Sequence, residues 1–221
     1  MYQLFIFFFL LSITVFSQNV NQLDSEGLRQ GKWKKSYENG SIRYEGFFKD
    51  DIPVGIFTYY YPSSEVSIEK EFFHSGSAAA AHFFYKSGAL KASGLYVNEL
   101  KDSTWNYFNP DSILIGIEQY KEGNLHGISK TFYDTGEIYE VKRWKEGVEH
   151  GEWKQFYVDG SLKMKCFLLN GKRDGIFLFH YPNGKLNIKG DYESDEKIGN
   201  WMYYNEDSKL DTVINFLRDS L

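Results

Sequence analysis

The same pattern of residues returns every 24 positions along this chain. HGISKTFYDTGEI at 126–138 becomes HGEWKQFYVDGSL at 150–162 and DGIFLFHYPNGKL at 174–186. Counting from Trp33 in steps of 24 gives Trp33, Phe57, Ala81, Trp105, Ser129, Trp153, Phe177 and Trp201. We call these the anchors. Two residues before each lies a glycine in six of eight units; Ala79 and Ser103 are the exceptions. Four after the anchors come Tyr37, Tyr61, Tyr85, Asn109, Tyr133, Tyr157, Tyr181 and Asn205. Nine after come Ile42, Val66, Leu90, Leu114, Ile138, Leu162, Leu186 and Leu210, all aliphatic. Fifteen after come Phe48, Phe72, Tyr96, Tyr120, Trp144, Leu168, Tyr192 and Phe216. Eight units in register with no insertion or deletion imply a stacked array in which neighbours build a shared core.

Each unit reads as two strands. The first runs from the anchor to the tyrosine. A turn follows, such as ENG at 38–40 or DG at 159–160, with Gly40 and Gly160 supplying positive φ. The second strand alternates: Leu162, Met164, Cys166 and Leu168 point one way and Lys163, Lys165 and Phe167 the other. A second short turn, such as EG at 146–147, leads to the next unit. Short connections at both ends make neighbouring strands antiparallel. The expected fold is all-β: an elongated antiparallel meander of about eight 24-residue hairpins in one twisted, curved sheet, extending roughly 75 Å for sixteen strands. The structural positions are Trp33, Tyr37, Gly40, Trp105, Trp153, Tyr157, Gly160 and Trp201. Aromatics at 19% of residues suit strands. The glycine before the anchor either lets that ring pack close to the backbone or fills a turn position.

The array occupies 31–221, preceded by a lead-in with half a repeat at 18–30, where Gly27 shares the column of Gly123, Gly147 and Gly171. Residues 1–17 read as a signal peptide. Leu4 to Phe16 is almost wholly apolar and uncharged, too short to span a bilayer, and Val15 and Ser17 suit cleavage after Ser17. No cysteine follows closely, so a lipoprotein is not expected. The expected location is the periplasm or outside the cell. The single cysteine, Cys166, rules out an internal disulfide and reads as a small buried residue.

The run G-x-W-x-x-x-Y-x-x-G-x-L, here GEWKQFYVDGSL and, ending in Ile, GKWKKSYENGSI, resembles the MORN repeat. It is more closely similar to the bacterial variant in YwqK-type antitoxin proteins, over about residues 24 to 218. The resemblance implies an elongated β-sheet without catalysis by the repeats themselves, associated with protein–protein scaffolding and, in some cases, membrane-lipid contact. For the YwqK-like group it implies neutralisation of a toxin partner.

The residues themselves offer little chemistry. Hydrolase, metalloprotease, P-loop and dinucleotide motifs are absent, and carboxylates fall at turns such as Asp50–Asp51 and Asp195–Glu196. No catalytic residue, cofactor or metal is expected. One column breaks the monotony: Asp102, His126, His150 and Asp174, three before their anchors. Members lie two strand spacings apart, roughly 9–10 Å, so neighbours cannot share one zinc. The column is either a turn position or a binding stripe. HSGSAAAAH at 74–82 is the irregular stretch, either a decayed repeat or a flattened patch that admits a partner. A net charge of −5 argues against nucleic acid. Lys32, Lys34, Lys35, Lys130, Lys154, Lys163 and Lys165 lie on first strands and their partners, which keeps a membrane surface, or a glycan on the aromatics, as the alternative to a protein partner.

Overall fold

The computed structural model describes residues 19–217, all of them strand, turn or irregular. The signal-peptide assignment at 1–17 falls outside the described residues. Twenty strands form one open sheet: β1 (Gln22–Leu23), β2 (Arg29–Ser36), β3 (Ile42–Lys49), β4 (Ile52–Tyr60), β5 (Val66–Phe73), β6 (Ala78–Phe84), β7 (Leu90–Val97), β8 (Leu100–Phe108), β9 (Leu114–Lys121), β10 (Asn124–Leu125), β11 (Gly127–Phe132), β12 (Ile138–Lys145), β13 (Val148–Glu149), β14 (Gly151–Phe156), β15 (Leu162–Leu169), β16 (Lys172–Arg173), β17 (Gly175–His180), β18 (Leu186–Glu193), β19 (Glu196–Tyr204) and β20 (Leu210–Phe216). Neighbouring strands pair antiparallel in chain order, so the topology is a plain meander. The two-residue strands β10, β13 and β16 continue into β11, β14 and β17 across one residue each. Joined, they leave the sixteen expected strands and β1.

The aliphatic column keeps one register throughout. Leu90, Leu114, Ile138 and Leu162 pair with Phe84, Phe108, Phe132 and Phe156, the same position in each unit. Alternation holds as well: Met164, Cys166 and Leu168 are buried, while Phe167 is exposed.

The turns differ from the simple expectation. Within a unit the loop has three residues: the Tyr37 amide donates to the Ser41 carbonyl, and only Gly40 takes positive φ. This is a type I turn closed by a left-handed glycine. The side chain before that glycine finishes it, as when Asp159 Oδ1 accepts both the Ser161 amide (2.9 Å) and hydroxyl (2.6 Å). The two-residue mirror-image turns lie between units, where both central residues are left-handed, as in Glu146–Gly147 and Asn170–Gly171.

Past each such turn the first strand carries two extra residues relative to its partner. Phe47 pairs with Val54, but Glu45 pairs with Thr58. The glycine before the anchor sits in this bulge at positive φ, 107° for Gly151, and Ser103 holds the same conformation at 59°. Unit three is the exception and explains its own sequence. β5 and β6 pair without a bulge from Phe73↔Ala78 to Ile68↔Phe83, and the turn before them is a four-residue loop at 74–77. Two residues have moved from bulge to turn, so the 24-residue period survives. Ala78, Ala79 and Ala81 are buried there at 5%, 4% and 1% exposure. The stretch is therefore a compensated variant rather than a decayed one.

The tyrosine column stitches neighbouring units. The hydroxyls of Tyr37, Tyr61, Tyr85, Tyr133, Tyr157 and Tyr181 donate to the carbonyls of Tyr60, Phe84, Phe108, Phe156, His180 and Tyr204, each 23 residues on, at 2.7–2.9 Å. Asn109 and Asn205 close their own turns instead, each accepting two backbone amides. Tyr157→Phe should lower stability by about 0.5–1.5 kcal/mol, read as a shift of the urea midpoint with an unchanged slope.

Candidate functional site

The core of the array is a ladder of rings on one sheet face. Three anchor rings lie between the aromatic fifteen after the preceding anchor and the one fifteen after their own, whereas Trp153 and Phe177 share Leu168 in that column. Phe57 meets Phe48 and Phe72 at 5.0 and 5.3 Å, Trp105 meets Tyr96 and Tyr120 at 5.0 and 6.4 Å, and Trp201 meets Tyr192 and Phe216 at 5.0 and 6.2 Å. Phe57, Trp105 and Trp201 are 3%, 1% and 1% exposed. They bury so completely because each lies flat on a glycine of the preceding unit. A Cβ on Gly46, Gly94 or Gly190 would stand inside the ring of Phe57, Trp105 or Trp201. These glycines belong to a column thirteen after the anchors: Gly46, Lys70, Gly94, Glu118, Lys142, Cys166, Gly190 and Ile214. At five of the seven joins its residues complement the next anchor in size, Lys142 before Trp153 being the clear exception. Glycine precedes a large ring; Lys70 precedes Ala81, and Glu118 precedes Ser129. Sequence reasoning missed this pairing, although the two columns read side by side carry it.

The ladder is thus interrupted twice. At Ser129 the gap is a cavity of about 330 Å³ lined by Glu118, Glu140, Lys142 and Trp144 among others. Its polar groups satisfy one another. Lys142 ion-pairs with Glu149 at 2.8 Å and Glu140 at 3.6 Å, Trp153 Nε1 donates to Glu140, Trp144 Nε1 donates to Ser129 Oγ, and the Tyr120 hydroxyl donates to Glu118. Those carboxylates hold the Lys142 ammonium above its ordinary range against the opposing pull of burial.

At Ala81 the gap opens into a basin of about 520 Å³. Phe72 and Tyr96 remain as walls with no ring between them, Ala78 and Ala79 line the small-residue side, and Lys70 enters where Ala81 leaves room, since the two are directly paired. The Lys70 Nζ lies 4.4 Å from the Tyr96 ring centroid. Burial holds its pKa below the ordinary lysine value, with Glu99 opposing through space. At the far wall Arg29 stacks on Phe48 at 3.8 Å and ion-pairs with Asp51 at 2.6 Å. This basin is the candidate site.

The stripe residues occupy the bulges. The His126, His150 and Asp174 amides donate to the carbonyls of Gln119, Arg143 and Phe167, rejoining the ladder after the irregularity. Asp102 and Asp174 each accept the amide of a turn residue twenty positions on, Glu122 and Ser194. Asp102 and His126 line one shallow depression, whereas His150 lines another with Lys145, Glu146, Val148 and Asn170. Among the described residues no three His, Cys, Asp or Glu side chains are placed to hold a metal ion. Of the structural positions, Trp105 and Trp201 are fully buried, Trp33 and Trp153 half-buried, Tyr37 and Tyr157 make stitches, and Gly40 and Gly160 close turns at φ 85° and 81°. Cys166 is buried at 0% exposure, and burial raises its thiol pKa.

The opposite sheet face carries charge pairs. Glu152 bridges Lys154 and Lys165 at 2.7 Å each, and hydrogen bonds from these two ammonium groups lower its carboxyl to about 2. The folded value lies below the ordinary glutamate value. The pairs therefore act fully above pH 4.5 and fade as pH falls toward 2. A carboxyl NMR titration should give a midpoint near 2, moving upward with added salt because the groups are partly exposed.

No curated protein matches this chain. Among solved structures, the TCP10 domain of Danio rerio CPAP, in complex with a peptide of Danio rerio STIL, aligns with 84% of this chain and 100% of its own at 16% identity and a TM-score of 0.16. That overlap is too low to argue from. The MORN repeat variant matches at residues 29–50, 125–146, 149–170 and 173–194. Each stretch spans 22 residues of the 24-residue unit, both strands and the turn between them, and the unit continues with unchanged register between and beyond them. Four of the eight units of this chain, the first, fifth, sixth and seventh, thus match the MORN repeat variant.

Proposed function

We propose that the array is a non-enzymatic, exported scaffold that binds a partner protein, with an antitoxin- or immunity-like role as its specific form. The observation that supports this reading is apolar surface recurring at fixed positions. Phe47 and Ile56 are 44% and 56% exposed, and their equivalents five units later, Phe167 and Ile176, are 41% and 53% exposed. Val54 and Leu169 extend the two patches. Exposed apolar clusters bordered by charge are a common form of protein-recognition surface. A lipid-binding reading has less support, because Lys32 and Lys34 are held by Glu45, and Lys154 and Lys165 by Glu152. The antitoxin role rests on the resemblance of the repeats alone.

Affinity capture from the native envelope fraction tests the proposal. A stoichiometric protein is expected with the wild-type chain, and is expected to be lost when Ile56 and Ile176 are both replaced by aspartate. Absence of any partner, together with flotation on anionic vesicles, would overturn it in favour of the membrane.

A further inference from the structure

Lys70 and Lys142 occupy the same column of the repeat, thirteen after their anchors, in units two and five. Lys142 has two carboxylates within ion-pair distance. Lys70 has none among the described residues: its one close polar contact is the face of Tyr96. A half-buried ammonium with no ion pair carries a desolvation cost that Glu99 offsets only through space and that an anion in contact would relieve further. The nearest carboxylates do not supply it. Asp51 is committed to Arg29, from which it also accepts the backbone amide at 2.9 Å. Glu99 lines the basin and acts on Lys70 through space, outside ion-pair distance.

We propose that the basin at unit three is a binding site for a monocarboxylate carried on an apolar or aromatic body. Lys70 takes the carboxylate, and the walls of Phe57, Phe72 and Tyr96 take the body. The volume, about 520 Å³, falls in the range of sites that enclose small organic ligands. Charge selects a monoanion. Among the lining charges Arg29 and Asp51 neutralise one another, which leaves the single cation Lys70 with the acid Glu99 nearby, so one negative charge is matched and the second charge of a dianionic phosphate is not. The carboxylate can belong to a free organic acid or to the chain end of a polypeptide. The site stands whether or not the apolar patches bind a protein, since it shares none of their residues.

The test titrates the full chain with phenylpropanoate, phenylpropanamide, inorganic phosphate, and acetyl-Gly-Phe as free acid and as amide. The readouts are the Ala78 and Ala79 amide resonances and the Lys70 ammonium resonance. Phenylpropanoate is expected to move all three, with the amide and phosphate bound more weakly. Lys70→Met should weaken phenylpropanoate binding by roughly ten- to a hundred-fold, and Lys142→Met should leave it unchanged. Binding of the peptide acid as well assigns a polypeptide source; binding of phenylpropanoate alone assigns a free acid. Should the variant fail to fold, the Lys70 resonance of the wild-type chain decides the matter: it shifts with phenylpropanoate if the proposal holds and stays fixed if it does not. Equal affinity for acid and amide, equal or tighter binding of phosphate, or unchanged binding by Lys70→Met would overturn the proposal.

Discussion

Gly94→Ala should destabilise the array by about 1–3 kcal/mol or more, although it adds one methyl group to a position that is not left-handed. The methyl would stand inside the Trp105 ring, which is 1% exposed and fixed by Tyr96, Tyr120 and Phe83 around it. Trp105→Ala should cost about 3–5 kcal/mol, because it removes the ring and leaves a cavity over the glycine. The two changes should not add. With the ring gone the new methyl meets empty space, so the double variant should be more stable than the sum by roughly 0.5–3 kcal/mol. Urea unfolding of the four proteins in the cycle measures this. Strict additivity would mean that the glycine and the ring do not share one space.

Removing residues 153–176 should leave a folded array of seven units. The cut places Phe177 where Trp153 stands, over Lys142, and keeps the bulge glycine Gly151 in front of it. A large ring thus replaces a large ring, and the Tyr133 hydroxyl meets the His180 carbonyl in place of Phe156. Cooperative unfolding should persist with a smaller urea slope, because less surface is exposed on unfolding. Removing only 153–164 joins the bulge of unit six to its second strand. The later strands keep their pairing with one another but are inverted as a block relative to the first five units, so the two blocks cannot join in register, and cooperative unfolding of the whole array should be lost. Circular dichroism with urea distinguishes the outcomes.

Much of this architecture was readable from the sequence because a constant period projects directly onto register. The eight anchors, the aliphatic column and the tyrosine column fall where a meander of hairpins puts them. Other features were hidden for identifiable reasons. Asn-Gly and Asp-Gly suggest two-residue mirror turns, but an Asn or Asp that hydrogen-bonds the residue after the glycine favours the three-residue loop, and both designs share one dipeptide. Unit three concealed its rearrangement because lengthening the turn by two and deleting a two-residue bulge leave the period at 24. The Lys70 basin was signalled only by Ala81, where a missing ring looks like loss until the lysine of the preceding unit is set beside it. The histidines of the stripe stood out because histidine is rare here, yet their backbone, through the bulge, has the clearest structural role.

The stitches and the ring ladder fail together at one seam. Asn109 cannot reach the Phe132 carbonyl as a tyrosine would, and the anchor just beyond is Ser129. Tension applied along a long thin body concentrates at its most compliant joint. Between β9 and β11 the joint keeps its backbone ladder but lacks both side-chain fastenings, so pulling on the two ends should part the molecule there first, into halves of four units each.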